Sequence, residues 1–168
     1  MKNLQLPQRK ATRLKGYDYS SPGVYFITIC TQNRKCMLSD LVVGEGLAPP
    51  ETRLSEIGRI AEEQILALEE RFPSVSIDRY VVMPNHIHIL LLLREQAGGA
   101  SPSPTVPQVI GTFKSITTRL SRAYRAEGLV FQRSFHDHVV RGEADYREIW
   151  DYIDSNPARW QEDRFYTG

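Results

Sequence analysis

The stretch that most limits how this chain can fold is residues 75–93, ValSerIleAspArgTyrValVal, MetProAsn, then HisIleHisIleLeuLeuLeuLeu. Two runs suited to extended backbone are parted by a three-residue break with a proline and an asparagine. So short a break permits only a tight turn, so Val75–Val82 and His86–Leu93 must pair as an antiparallel hairpin. The rest of the chain has to be arranged around that hairpin. Val24–Thr31, rich in β-branched and aromatic residues, predicts a strand before it. Between the two, Leu54, Ile57, Ile60/Ala61, Ile65 and Leu68 recur at helical spacing and predict a helix to about Arg71, capped by Ser55 or Thr52. Residues 40–53, with Pro49-Pro50, read as a loop, and 97–105 as a linker.

After the linker a second helix is expected over about 107–126, with Pro107 as its first residue and Val109, Ile110, Phe113, Ile116 and Leu120 facing inward. A short strand at Phe135–Val140 and a third helix at Glu143–Ser155 follow. The order β-α-β-β-α-β is the ferredoxin-like pattern, an α+β fold with an antiparallel sheet and two helices on one face. The third helix is left over, free to pack on the sheet's other face or edge. Residues 1–22 read as a flexible basic arm, and 23–168 as a single domain.

The two cysteines, Cys30 and Cys36, are too few for a disulfide framework and fit a reducing cytoplasm. The first fifteen residues contain no apolar run of a secretory signal, and IleLeuLeuLeuLeu after His88 is too short to span a bilayer. A cytoplasmic protein without membrane contact is expected. Net charge is only +1, but it is segregated: residues 1–35 carry +6 and residues 108–141 carry +4. Such segregation can present basic surface to a polyanion.

Along a strand, alternate side chains share a face, so His86 and His88 point the same way with Cα atoms roughly 6.6 Å apart, twice the strand rise. Two imidazoles at that spacing can converge on one cation, and both would be costly to bury without partners. Two ligands leave a site incomplete, so a third must come from elsewhere. Imidazole and oxygen donors beside a phosphate favour Mg2+ or Mn2+ over a thiolate-held zinc. On the third helix, Tyr146, Ile149 and Ile153 make an apolar stripe with Trp150 at its border. Tyr152 falls on a polar face one turn before Asn156. Phenol is a poor nucleophile until a nearby cation favours its phenolate, and a phosphotyrosine bond conserves energy for rejoining.

MetProAsnHisIleHisIleLeu (83–90), PheGlnArgSerPheHisAspHisValValArg (131–141) and AspTyrIleAspSerAsnPro (151–157), in this order, resemble the REP-associated tyrosine transposases. These form part of the single-tyrosine branch of the HUH endonuclease superfamily. The resemblance runs from about Gly16 to Trp160. It implies a ferredoxin-like fold and a metal-dependent nuclease and strand transferase acting on single-stranded or hairpin DNA. It also implies metal binding by His86 and His88 with Asn156 as third ligand, and Tyr152 as the nucleophile that forms a 5′-phosphotyrosine. Members act as monomers or as homodimers that exchange the tyrosine helix. Lys114, Arg122, Arg125, Arg133 and Arg141, with Arg13 and Lys15 of the arm, are the candidate phosphate contacts. Phe131, Phe135 and Trp160 are candidates for stacking on unpaired bases. A second His-x-His pair, His136 and His138, reads as hydrogen-bonded structural or DNA-contacting histidine. Two other classes stay open on residues alone: a non-catalytic nucleic-acid-binding module, and a His-x-His metal phosphoesterase that uses water.

Overall fold

The computed structural model describes residues 13–42, 50–95, 102–124 and 128–167. In chain order it contains β1 (Gly23–Cys30), β2 (Ser39–Val42), β3 (Glu51–Leu54), α1 (Glu56–Leu66) and α2 (Leu68–Arg71). There follow β4 (Val75–Val82), β5 (His86–Leu93), α3 (Val106–Leu120), β6 (His136–Val139) and α4 (Gly142–Ser155), then a 3-10 turn at Pro157–Glu162. Four strands form one antiparallel sheet in the order β4-β5-β1-β6. With the small β2–β3 hairpin set aside, this is the expected ferredoxin-like α+β arrangement.

Strand alternation divides the chemistry between the two faces. β1 and β5 send Tyr25, Ile27, Ile29, Ile87, Ile89 and Leu91 into the larger core, which Ile57, Ala61 and Ile65 of α1 and Val109, Ile110 and Phe113 of α3 close. Ser55 starts α1: its hydroxyl accepts from the Gly58 N–H at 3.0 Å and donates to the Met37 carbonyl at 2.7 Å. Thr105 and Gln108 form a reciprocal capping box at the start of α3. On the opposite face Leu90, with Val24, Phe26 and Val81 beside it, receives Ile149 and Ile153 of α4. The apolar stripe of the third helix thus finds its partner on the face that the other helices leave open.

Polar contacts pin α4 to its own sheet. At a register shift in β4 between Ile77 and Arg79, Asp78 accepts a hydrogen bond from the Tyr146 hydroxyl. Next to it Arg79 pairs with Asp154 and lies 4.2 Å over the Trp150 ring.

Several local expectations are corrected. Residues 40–53 are not wholly a loop, because Ser39–Val42 and Glu51–Leu54 pair in register; residues 43–49 lie outside the described part. The first helix breaks at Ala67 into α1 and α2. In α3, Pro107 takes the second helical position after the Thr105 cap, and Thr117 is buried while Leu120 is 46% exposed. The helix ends at Leu120, so its last turn aims Leu120 outward and the chain continues as a 3-10 turn to Tyr124. Phe135 lies just outside β6. The end of the expected arm packs on the domain: Tyr19 is buried, its hydroxyl donates to Asp137 at 2.6 Å, and its carbonyl accepts from Val106. Among the described residues, no helix is long and apolar enough to cross a membrane.

A candidate metal and nucleophile site

His86 and His88 lie side by side on β5, on the α4 face, with ring centroids 4.5 Å apart and no exposed surface. Each ring is oriented through Nδ1. His86 Nδ1 is 2.9 Å from Asn85 Oδ1. The Asn85 amide nitrogen donates to the carbonyls of Phe165 (2.8 Å) and Arg34 (3.3 Å), which turns its oxygen toward the ring. His86 Nδ1 is therefore the protonated nitrogen, and Nε2 carries a free lone pair. His88 Nδ1 is 2.8 Å from Thr28 Oγ1, its cross-strand neighbour on β1. Both Nε2 atoms are buried without a hydrogen-bond partner.

Such orphans are costly unless something fills the space between them. Burial pushes the His86 pKa down from 6.5 to about 4, against the pull of Asp163, and drives His88 well below the same value. Both imidazoles are neutral in ordinary solution, the form that ligates metals.

The acidic partner is Asp163. Its Oδ2 is 3.9 Å from His86 Nε2, and its side chain is 1% exposed. One ligand atom from each of His86, His88 and Asp163 lies within 4.8 Å of the others. Asn156 Nδ2 donates to Asp163 Oδ2 at 2.8 Å, and Asn156 Oδ1 is itself buried and unpartnered. Two imidazole nitrogens, a carboxylate and an amide oxygen make a donor set that fits a divalent cation taking nitrogen and oxygen ligands. Asp163 escaped the sequence reading. It follows a 3-10 turn with no periodicity to mark it, and only the fold carries it back to β5.

Tyr152 is brought to the same place. Its ring lies 5.2 Å from His88 and 6.0 Å from Phe26, and its hydroxyl donates to Asp163 Oδ2 at 3.3 Å. The residue is 36% exposed, so one edge faces solvent. Burial and the Asp163 charge raise its pKa, with Arg164 acting in the opposite sense. Trp160, 5.8 Å from His86, and Phe165, 4.6 Å from it, wall the other side.

The candidate DNA contacts are placed away from this cluster. Lys114 and Arg122 belong to α3 and the turn after it, on the sheet face opposite α4. Lys114 Nζ donates to the Arg133 carbonyl at 2.8 Å, and burial lowers its pKa. Arg13 lies 4.8 Å over Phe135 and adds to that lowering, so Arg13, Lys114 and Arg133 form one basic patch. Lys15, Arg122, Arg133 and Arg141 are exposed; Arg125 lies outside the described residues. Phe131 and Phe135 are corrected as base-stacking candidates, because both are buried in the larger core, Phe131 against Phe113. His136 and His138 share the face of His88, but His138 Nε2 is bound to Asp145 at 2.8 Å and so braces the start of α4.

No family model matches the chain. An uncharacterized protein of Haemophilus influenzae (strain ATCC 51907 / DSM 11121 / KW20 / Rd) is 30% identical over 180 aligned positions, covering 98% of this chain and 97% of the relative. A second protein of that strain, provisionally named a REP-associated tyrosine transposase, is 27% identical over 154 positions, 84% of this chain and 74% of the relative. A solved REP-associated tyrosine transposase bound to a REP hairpin superposes with a TM-score of 0.64 at 22% identity, covering 88% of this chain and 74% of that one. At that identity the likeness is one of fold. Fold and relatives together define a transposase-type DNA-processing protein. Within that class the chain is similar to the REP-associated tyrosine transposases, and it shares a family with the uncharacterized Haemophilus influenzae protein.

Proposed function

We propose that this protein cleaves and rejoins single-stranded DNA, with Tyr152 as nucleophile and with Mg2+ or Mn2+ held by His86, His88 and Asp163, and with Asn156 beside them. The observation that carries the reading is the Tyr152 ring 5.2 Å from His88, beside two buried imidazole nitrogens that lack partners. When bound, the cation offsets negative charge at the attacked phosphate and favours phenolate. With Asp163 engaged at the cation, the phenolic proton leaves to solvent at the exposed edge of the Tyr152 ring. Tyr152 Oη then forms a bond to phosphorus while the bond from phosphorus to the 3′ oxygen breaks. The departing oxygen takes a proton from solvent, leaving a 3′-hydroxyl and a 5′-phosphotyrosine. Attack by a 3′-hydroxyl reverses the exchange, releases the phenol and seals a new junction.

A relative's structure holds a REP hairpin, so hairpin DNA is the substrate class to try first. Arg13, Lys114 and Arg133, with Lys15, Arg122 and Arg141, would neutralise flanking phosphates at a distance from the chemistry, and Arg125 is a further candidate phosphate contact. The contacts of α4 with its own sheet through Asp78 and Arg79 support a nucleophile that acts in cis, with a homodimer that exchanges this helix as the alternative. A cytoplasmic location, with access to chromosomal DNA, goes with this reading. The test is incubation of a labelled hairpin oligonucleotide with Mg2+ or Mn2+. Wild type should form a denaturant-stable adduct, and Tyr152→Phe should form none while binding DNA normally. Cleavage that persists undiminished in Tyr152→Phe would point to water as nucleophile and end the transposase mechanism.

A further inference from the structure

Three consecutive residues after the 3-10 turn send their side chains in different directions. Asp163 turns in toward the imidazoles, and Phe165 is buried against His86 and His88, while Arg164 faces solvent. The Arg164 guanidinium rests 4.6 Å over the Phe165 ring. Its position is thus tied, through that ring, to the imidazole pair. Among the described residues Arg164 forms no ion pair, although it stands beside Asp163 and Glu162 in sequence.

Arg164 and Arg159 line a depression of about 280 Å³ whose other walls include Tyr152, Asn156 and Asp163. The nucleophile therefore opens into a small pit bordered by two guanidinium groups and by the carboxylates of Glu162 and Asp163. A guanidinium with five fixed N–H donors, exposed and unpaired, matches the non-bridging oxygens of a phosphodiester.

We propose that Arg164 grips the scissile phosphodiester directly, holding its non-bridging oxygens while Tyr152 attacks, with Arg159 meeting the neighbouring phosphate. This rests on the Tyr152 reading above. No proton moves to or from Arg164, so the bonds made and broken stay those already given. The guanidinium supplies orientation and charge that the sheet face alone lacks.

The test uses the full chain carrying Tyr152→Phe, so that binding is read without chemistry, and a fluorescent REP-hairpin oligonucleotide in Mg2+. One linkage at a time is replaced by an uncharged methylphosphonate. Arg164→Gln should weaken binding of the all-phosphate oligonucleotide by about tenfold or more, the scale of one charge-assisted bidentate contact. Neutralising one particular linkage should cost the same factor in the parent chain and nothing further in Arg164→Gln. That linkage should be the one at which wild type forms its adduct. Arg164→Lys should restore part of the affinity and part of the coupling, and it decides the matter if the Gln variant melts early.

Losses that simply multiply at every linkage, an unchanged affinity in Arg164→Gln, or no binding by the parent chain would overturn the proposal. An adduct that never forms, alongside intact coupling at one linkage, would remove the Tyr152 chemistry and leave the grip standing.

Discussion

Divalent cations should stabilise the folded chain, and the size of the effect follows from the buried imidazoles. At free Mn2+ a hundredfold above its dissociation constant, binding to the native state alone adds about 2.7 kcal/mol. For a chain of this length that raises the melting midpoint by about 5–11 °C, at about 2–4 °C per kcal/mol. The perturbation is His88→Leu, a change of similar volume at a fully buried position. It deletes an orphaned Nε2, which relieves about 1–3 kcal/mol, and strands the Thr28 hydroxyl at a similar cost. The two nearly cancel, so the variant in chelator should melt within a few degrees of wild type while its response to Mn2+ disappears. His86→Leu should behave alike, exchanging its own orphan for the stranded Asn85 oxygen. The assay is a thermal melt of each chain, with chelator and across a Mn2+ titration. No response in wild type, or an undiminished response in His88→Leu, would refute the reasoning that the two orphans mark a cation site.

Two further outcomes test the surrounding physics. Gly58→Ala should cost about 3 kcal/mol or more in urea unfolding, because a Cβ there would fall 1.9 Å from the Leu38 carbonyl oxygen, backbone that cannot step aside; a loss below about 0.5 kcal/mol would contradict the close approach. In chelator, stability should be complete above pH 6.5 and fall as pH drops toward 4, since burial holds His86 at about 4 when folded and 6.5 is its ordinary value. The unfolded chain binds the extra proton across that window, so His86 alone accounts for up to roughly 3 kcal/mol, and His88 adds in the same sense. A flat profile through that window would count against buried neutral imidazoles.

The parts of the site that were legible are those governed by a short period. Alternation along 86–93 is local, so it put His86 and His88 on one face without any knowledge of the neighbouring strands. The 3.6-residue period likewise separated Ile149 and Ile153 from Tyr152, and the fold seats the two sets as that separation requires. Composition is a poor guide to strand pairing. Ser39–Val42 and Glu51–Leu54 flank a stretch rich in glycine and proline, and nothing in either run reveals that its partner lies across that gap. Phe131 and Phe135 are candidates for base stacking only while their sequence neighbours, such as Arg133, are all that is considered. Their burial depends on how the chain after α3 folds back beneath Phe113, a long-range fact.

Asp163, the acidic partner of the imidazole pair, has its position set by the fold and not by any local sequence period. Its carboxylate accepts from Tyr152, Asn156 and the Phe165 N–H, so the end of α4 and the segment 163–165 agree on one position. Asn85 closes the same circuit from the other end: one side of its amide sets the His86 tautomer and the other holds the Phe165 carbonyl. The tautomer that leaves Nε2 open is therefore coupled to the docking of 163–165 against β5. If that segment were displaced, His86 would lose the amide's orientation, the carboxylate and the Phe165 ring together. The imidazole pair, legible from eight residues, is thus only half of a site whose other half is assembled by a segment with no sequence pattern of its own.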